Sequence, residues 1–187
     1  YRLAHHGIEV MDTVYADGVV HEFSIEQNAY QTIYEKAGIK ITAFDVTHEP
    51  IEPAVGYAVE YNGKKVVLSG DTKKNDLVAE MAQNCDLLVH EVMMMSFQQM
   101  LEEELRKAGM DRNATIIFDI QDYHTDTKEV AELAQNASVK ELVLNHLAPA
   151  PDNRIIKQLY MDELEGFEGP IHLADDGDVF IVNGENE

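Results

Sequence analysis

Apolar and polar positions along this chain switch between two periods, and the switching predicts the elements. Alternation marks strands over 39–46, 56–61 and 65–68. Asn62-Gly63 joins the last two, and because both residues tolerate positive φ it is the strongest hairpin signal present. After Ser69-Gly70-Asp71-Thr72 the period lengthens, with Leu77, Val78 and Met81 on one side of a helix over 74–84. Residues 86–91 form a nearly continuous apolar run, the pattern of a strand covered on both faces. Helical spacing returns over 96–109, ending at Gly109 as a C-cap. It returns again over 125–136, where Val130, Leu133, Ala134 and Ala137 share a face behind the Thr125-Asp126-Thr127 start. A strand over 141–145, a Pro-broken loop, a helix near 153–164 and closing strands at 170–174 and 178–182 complete the pattern. Residues 1–38 read as an irregular, strand-rich segment followed by a short helix near 26–37. Strands alternating with helices place the chain in the layered α/β class.

Length and composition narrow the picture. The 187 residues suit one domain or a compact half of a larger one, and 45% hydrophobic residues can bury a core. Lys and Arg number 14 against 35 Asp and Glu, a net charge of −21. Nucleic acid presents dense phosphate charge, so this balance argues against it as a partner. Basic residues cluster only at Lys73-Lys74, with Lys64-Lys65 upstream. No run approaches the ~18 apolar residues of a membrane span. The lone Cys85 cannot form an internal disulfide; it reads as a small core residue of a cytoplasmic protein. Met93-Met94-Met95 reads as core filler, with a pocket lining as the alternative. No secretory signal opens the chain, and Tyr1 begins in mid-pattern, as in a piece of a longer protein.

Three potential metal ligands each follow a predicted strand: His48, Asp71 and His146. Ligands of α/β sheets gather outside the carboxyl ends of strands, so the repetition points to one site. Two imidazoles and a carboxylate suit zinc, and equally the two-His-one-carboxylate set of a mononuclear iron oxygenase. His124, just before a helix, can act as a general acid or base or can cap the helix start. Glu91 ends a buried strand, where a carboxylate needs a partner such as an oriented histidine. His5-His6, His21, His90 and His172 lack comparable context and read as structural.

Several of these residues sit in runs that carry a resemblance. They are Val46-Thr47-His48-Glu49-Pro50, Pro53-Ala54-Val55-Gly56-Tyr57, Val66 to Thr72, Asp86 to Glu91, Tyr123-His124-Thr125 and Leu142 to Pro149. In this order the chain resembles the metallo-β-lactamase superfamily, nearest its ribonuclease Z-like branch and related metal-dependent hydrolases. The resemblance implies the C-terminal half of an αββα sandwich. It also implies that His48 binds one zinc, Asp71 bridges two and His146 binds the other, with manganese or iron as substitutes. His124 matches the residue that protonates the leaving group, and Glu91 the carboxylate that holds it. Two close ions lower the pKa of a bridging water, and a nearby acid stabilises the departing oxygen.

The family's first metal motif, His-x-His-x-Asp-His, is absent from the chain. Three ligands cannot hold two metals, so a single incomplete domain over 1–187 is expected, completed by an upstream segment, a partner chain or a homo-oligomer. Only Ala58–Gly70 separates Tyr57 from Asp71, where tRNA-processing members carry a long arm. With the acidic charge, this favours a small phosphodiester, sulfate ester or carboxylic ester over tRNA. An iron oxygenase and a non-catalytic fragment or interaction module are the competing readings.

Overall fold

The computed structural model describes residues 20–182. Its strands are β1 (Tyr30–Lys36), β2 (Ile39–Val46), β3 (Ala54–Tyr61), β4 (Lys64–Leu68), β5 (Leu87–Met93), β6 (Leu142–Ala148) and β7 (Ile171–Leu173). Its helices are α1 (Asp76–Met81), α2 (Met95–Lys107), α3 (Asp111–Ile120), α4 (Thr127–Asn136) and α5 (Arg154–Glu163). The strands form one seven-stranded sheet in chain order. β1 to β4 run antiparallel, with two-residue turns joining β1 to β2 and β3 to β4 and a seven-residue loop over 47–53 joining β2 to β3. β4 to β7 run parallel, joined by helical crossovers.

Local chemistry sets the connections. Asn62 and Gly63 both hold positive φ, 52° and 71°, which matches the twist of β3 and β4 and closes their hairpin. Asn75 and Asn153 cap α1 and α5 by accepting the amides two and three residues on. Val67, Leu88, Val92, Leu142 and Leu144 meet Val78 of α1, Val130 and Leu133 of α4 and Tyr160 of α5 in one core. Side chains alternate across a strand, so Val66, Leu68, Val89 and Val143 point to the opposite face. The helices that close this core therefore lie on one face of the sheet.

The α/β class is as expected, and strand 39–46 matches residue for residue. Two expectations fail and one helix was missed. Residues 26–37 are not a helix: Tyr30–Lys36 is a strand because Tyr30, Thr32 and Tyr34 are good strand formers and β2 is there to pair with them. The segment 178–182 alternates correctly but is no strand. Val179 and Ile181 stand 82% and 76% exposed, with no neighbouring strand among the described residues. Helix α3 was not expected at all, since Thr115-Ile116-Ile117 is β-branched and only Ala114 of the helix is buried. His5-His6 lie outside the described residues. Among those described, no helix is long and apolar enough to cross a membrane.

Candidate metal and acid–base site

The parallel strands β4, β5 and β6 end side by side, and the site residues follow from how each ends. β4 leads into Ser69-Gly70-Asp71, where Gly70 holds φ +66° with the Val55 carbonyl 2.7 Å from where a Cβ would sit. Only glycine fits that close approach, and the turn delivers Asp71 to the sheet edge. β6 carries a bulge: Asn145 pairs with Glu91 and Leu147 with Val92, leaving His146 as the extra residue, at φ +46°. Bulges re-aim side chains, and this one brings His146 Nε2 to 3.7 Å from Asp71 Oδ2. Both side chains are about half exposed, at 54% and 45%.

His48 follows β2, and its Nδ1 donates to the Tyr123 carbonyl at 3.0 Å. A carbonyl only accepts, so the proton is on Nδ1 and the Nε2 lone pair is left for a ligand. The His124 ring lies between the other two histidines, its centroid 5.3 Å from that of His48 and 5.4 Å from that of His146. Three open clefts each have one histidine in the wall: about 460 Å³ at His48, 490 Å³ at His124 and 820 Å³ at His146. Lys73 and Lys74 stand in the His124 cleft.

Glu91, 1% exposed, is the hub beneath. Its Oε1 accepts the amides of Thr125 at 2.9 Å and Thr72 at 3.3 Å, and its Oε2 lies 3.2 Å from His124 Nδ1. Those two facing atoms are buried and lie within ion-pair distance, but neither makes a hydrogen bond. The Thr125 hydroxyl in turn donates to the Thr72 carbonyl at 2.7 Å, tying the Asp71 turn to the His124 segment. The five expected residues thus come together at one end of the sheet. Among the described residues, however, no three His, Cys, Asp or Glu side chains are drawn close enough to hold an ion together. The donors fit a divalent metal in kind and fall short in number.

Sequence reasoning missed Ser69, Thr72 and Thr125. The available signal was a hydroxyl residue flanking each candidate, in Ser69-Gly70-Asp71-Thr72 and His124-Thr125. Met93 and Met94 are core filler as expected, whereas Met95 lines the His124 cleft. His172 bonds Glu141 at 2.7 Å, away from the site.

Comparison with known proteins places these features in a family. A model described as the beta-lactamase superfamily domain matches residues 2–147. Ribonuclease Z of Mycobacterium bovis is 30% identical over 151 residues, covering 80% of this chain and 47% of that protein. Ribonuclease Z of Mycolicibacterium paratuberculosis is 31% identical over 180 residues, covering 94% and 56%. The chain spans about half the length of the curated relatives it matches. Among solved structures, the metallo-beta-lactamase fold protein YhfI of Bacillus subtilis gives a TM-score of 0.57 at 20% identity, covering 85% of this chain and 55% of that one. Human tRNase Z, short form, gives 0.52 at 20% identity, covering 81% and 45%.

These relatives overturn one expectation. Proteins named ribonuclease Z act on RNA, so neither the charge of −21 nor the short Asn62–Gly63 hairpin argues against nucleic acid in such company. The physical reason is that net charge sums over surface a substrate never meets, whereas recognition is local. Lys73 and Lys74 share the His124 cleft with Asp122, Asp126 and Glu129, and Lys74 is paired with Glu132 at 2.7 Å. The order of motifs, the sheet and the family model agree: the chain belongs to the metallo-β-lactamase superfamily.

Proposed function

We propose that this chain is the C-terminal half of a zinc-dependent phosphodiesterase that cleaves RNA, and that the other half brings the remaining metal ligands. The observation that carries the reading is the convergence of Asp71, His146, His48 and the Glu91–His124 pair at one sheet end. The names of the relatives support RNA as substrate. The relatives' length and the absent His-x-His-x-Asp-His motif support the missing half. A cytoplasmic setting belongs to the same proposal, supported by the buried free thiol of Cys85.

In this reading His48, Asp71 and His146, with ligands from outside the described residues, would hold a pair of divalent ions. Such ions supply an acidified water for attack on phosphorus. The chain's own residues do the rest. Glu91 orients His124 through Nδ1, leaving Nε2 to give its proton to the departing oxygen as the P–O bond breaks. Lys73, in the wall of the cleft that His124 lines, would meet a phosphate there, whereas Lys74 is already paired with Glu132.

The test is to assay the zinc-loaded protein, upstream segment included, on a tRNA precursor, a chromogenic phosphodiester and a carboxylic ester. Chelator-sensitive cleavage of the first two is expected. Turnover of the carboxylic ester alone would overturn the reading. Iron content with oxygen consumption would instead establish the oxygenase.

A further inference from the structure

His90 is fully buried, and its Nδ1 lies 2.6 Å from the main-chain oxygen of Glu91. A carbonyl can only accept, so Nδ1 carries the proton, and Nε2, buried and without a partner, carries none. Burial also pushes the imidazole's pKa down, keeping the ring neutral. The bond matters because of where it lies. On one side of β5, Val89 accepts from Ser69 N at 3.0 Å and Met93 N donates to Thr125 O at 2.9 Å. Glu91 falls between them, beyond the end of β4 and short of Thr125. Side chains fill that gap: Ser69 Oγ accepts the Glu91 N–H at 3.1 Å, and His90 satisfies its carbonyl. Buried main-chain groups must be paired, and these two bonds fix the peptide from which the carboxylate projects.

We infer that His90 is the positioning residue of the acid–base pair, its Nδ1–H holding the Glu91 main chain so that the carboxylate reaches Thr72, Thr125 and His124. The inference rests on the roles proposed above for Glu91 and His124, and it adds a reason for a buried histidine next to them. His90 touches neither substrate nor metal; it acts through Glu91.

Two readouts test it without turnover. Nitrogen NMR of the full chain should show the His90 Nδ1–H tautomer, and the Nε2–H tautomer would overturn the inference before any variant is made. Asn places an N–H close to the Nδ1 position, whereas Gln places one near Nε2, out of reach of the Glu91 carbonyl. In His90→Asn the Thr72 and Thr125 amides should keep their hydrogen-exchange protection. In His90→Gln they should exchange about tenfold faster, the loss of roughly one hydrogen bond, while Val89 stays protected. Equal behaviour of the two variants, or loss spread over the whole sheet, would reduce His90 to a packing residue. In the zinc-loaded protein with its upstream segment, His90→Gln should lower kcat with KM unchanged, and His90→Asn should restore it. If Glu91→Gln leaves turnover intact, the proposed roles of the pair fail; if only Glu91→Gln matters and His90→Gln does not, this inference alone fails.

Discussion

The Glu91 carboxylate and the His124 imidazole face each other across 3.2 Å, and Thr125, the next residue in the chain, is tied to the same carboxylate at 2.9 Å. One buried acid therefore holds the backbone that carries His124 and faces its ring. His124→Ala in the complete, zinc-loaded protein should lower kcat by about 10²–10⁴, the usual contribution of a general acid, while bound zinc stays nearly constant. Metal analysis beside the kinetics checks this, and zinc lost in step with activity would make His124 a ligand instead. The double variant with Glu91→Gln should cost little more than His124→Ala alone, because the two side chains act as one unit.

His48, Asp71 and His124 were legible because each follows a strand or opens a helix, and polar residues in those places stand out from the apolar pattern. His146 was legible as a residue but not in its conformation. Nothing in Leu144-Asn145-His146-Leu147 announces the bulge, which arises only where β6 pairs with β5. The threonine clamps on Glu91 join residues 34 and 19 positions apart in sequence, contacts that no local period encodes. The segment 178–182 failed for a related reason: alternation describes a strand's faces, but a strand also needs a neighbour.

Gly70→Ala should disturb the site through the backbone. At φ +66° an alanine is strained, and its Cβ would sit 2.7 Å from the Val55 carbonyl. A loss of about 1–3 kcal/mol is expected, with Asp71 pushed from the sheet edge. Denaturant melts and zinc titration should both show it; unchanged values in both would mean the turn relaxes freely.

His90 should make stability acid-sensitive. Burial holds its folded pKa below the ordinary value of 6.5, so the unfolded chain takes up the proton first. The contribution is complete above that value and is lost as pH falls below it, at up to about 1.4 kcal/mol per pH unit. Unfolding free energies of wild type and His90→Asn between pH 7 and 5 should diverge, with the variant falling less. Parallel curves would place the acid sensitivity elsewhere.

Cys85 should behave in the opposite sense. Burial pushes its thiol up to about 11, so the folded chain keeps its proton after the unfolded chain, near 9.0, has lost it. Its contribution is present below pH 9.0 and is lost as pH rises through about 11. A thiol reagent at neutral pH should therefore label only unfolded chain. Rapid labelling of the native protein would show the site to be open.

The last prediction concerns the face of the sheet that these helices leave uncovered. Val66, Leu68 and Val89 point away from the helices and are partly exposed, Leu68 at 38%, while Val143 on the same face is buried at 2%. Leaving apolar surface in water forfeits about 25 cal/mol per Å², and a typical domain has only ~5–15 kcal/mol of stability in total. A few hundred Å² of such surface would amount to roughly half of that total. Residues 1–187 expressed alone should therefore melt with low cooperativity and self-associate. On the proposed reading they should also bind zinc weakly, because Asp71 and His146 would close only part of a coordination shell. If the proposed upstream half supplies His-x-His-x-Asp-His, adding it should raise melting temperature and zinc affinity together. Light scattering, calorimetry and zinc stoichiometry on the chain alone decide the matter. A monomer that melts in one sharp step and holds two zinc ions per chain would show that the face is already covered and that the missing ligands lie within these residues.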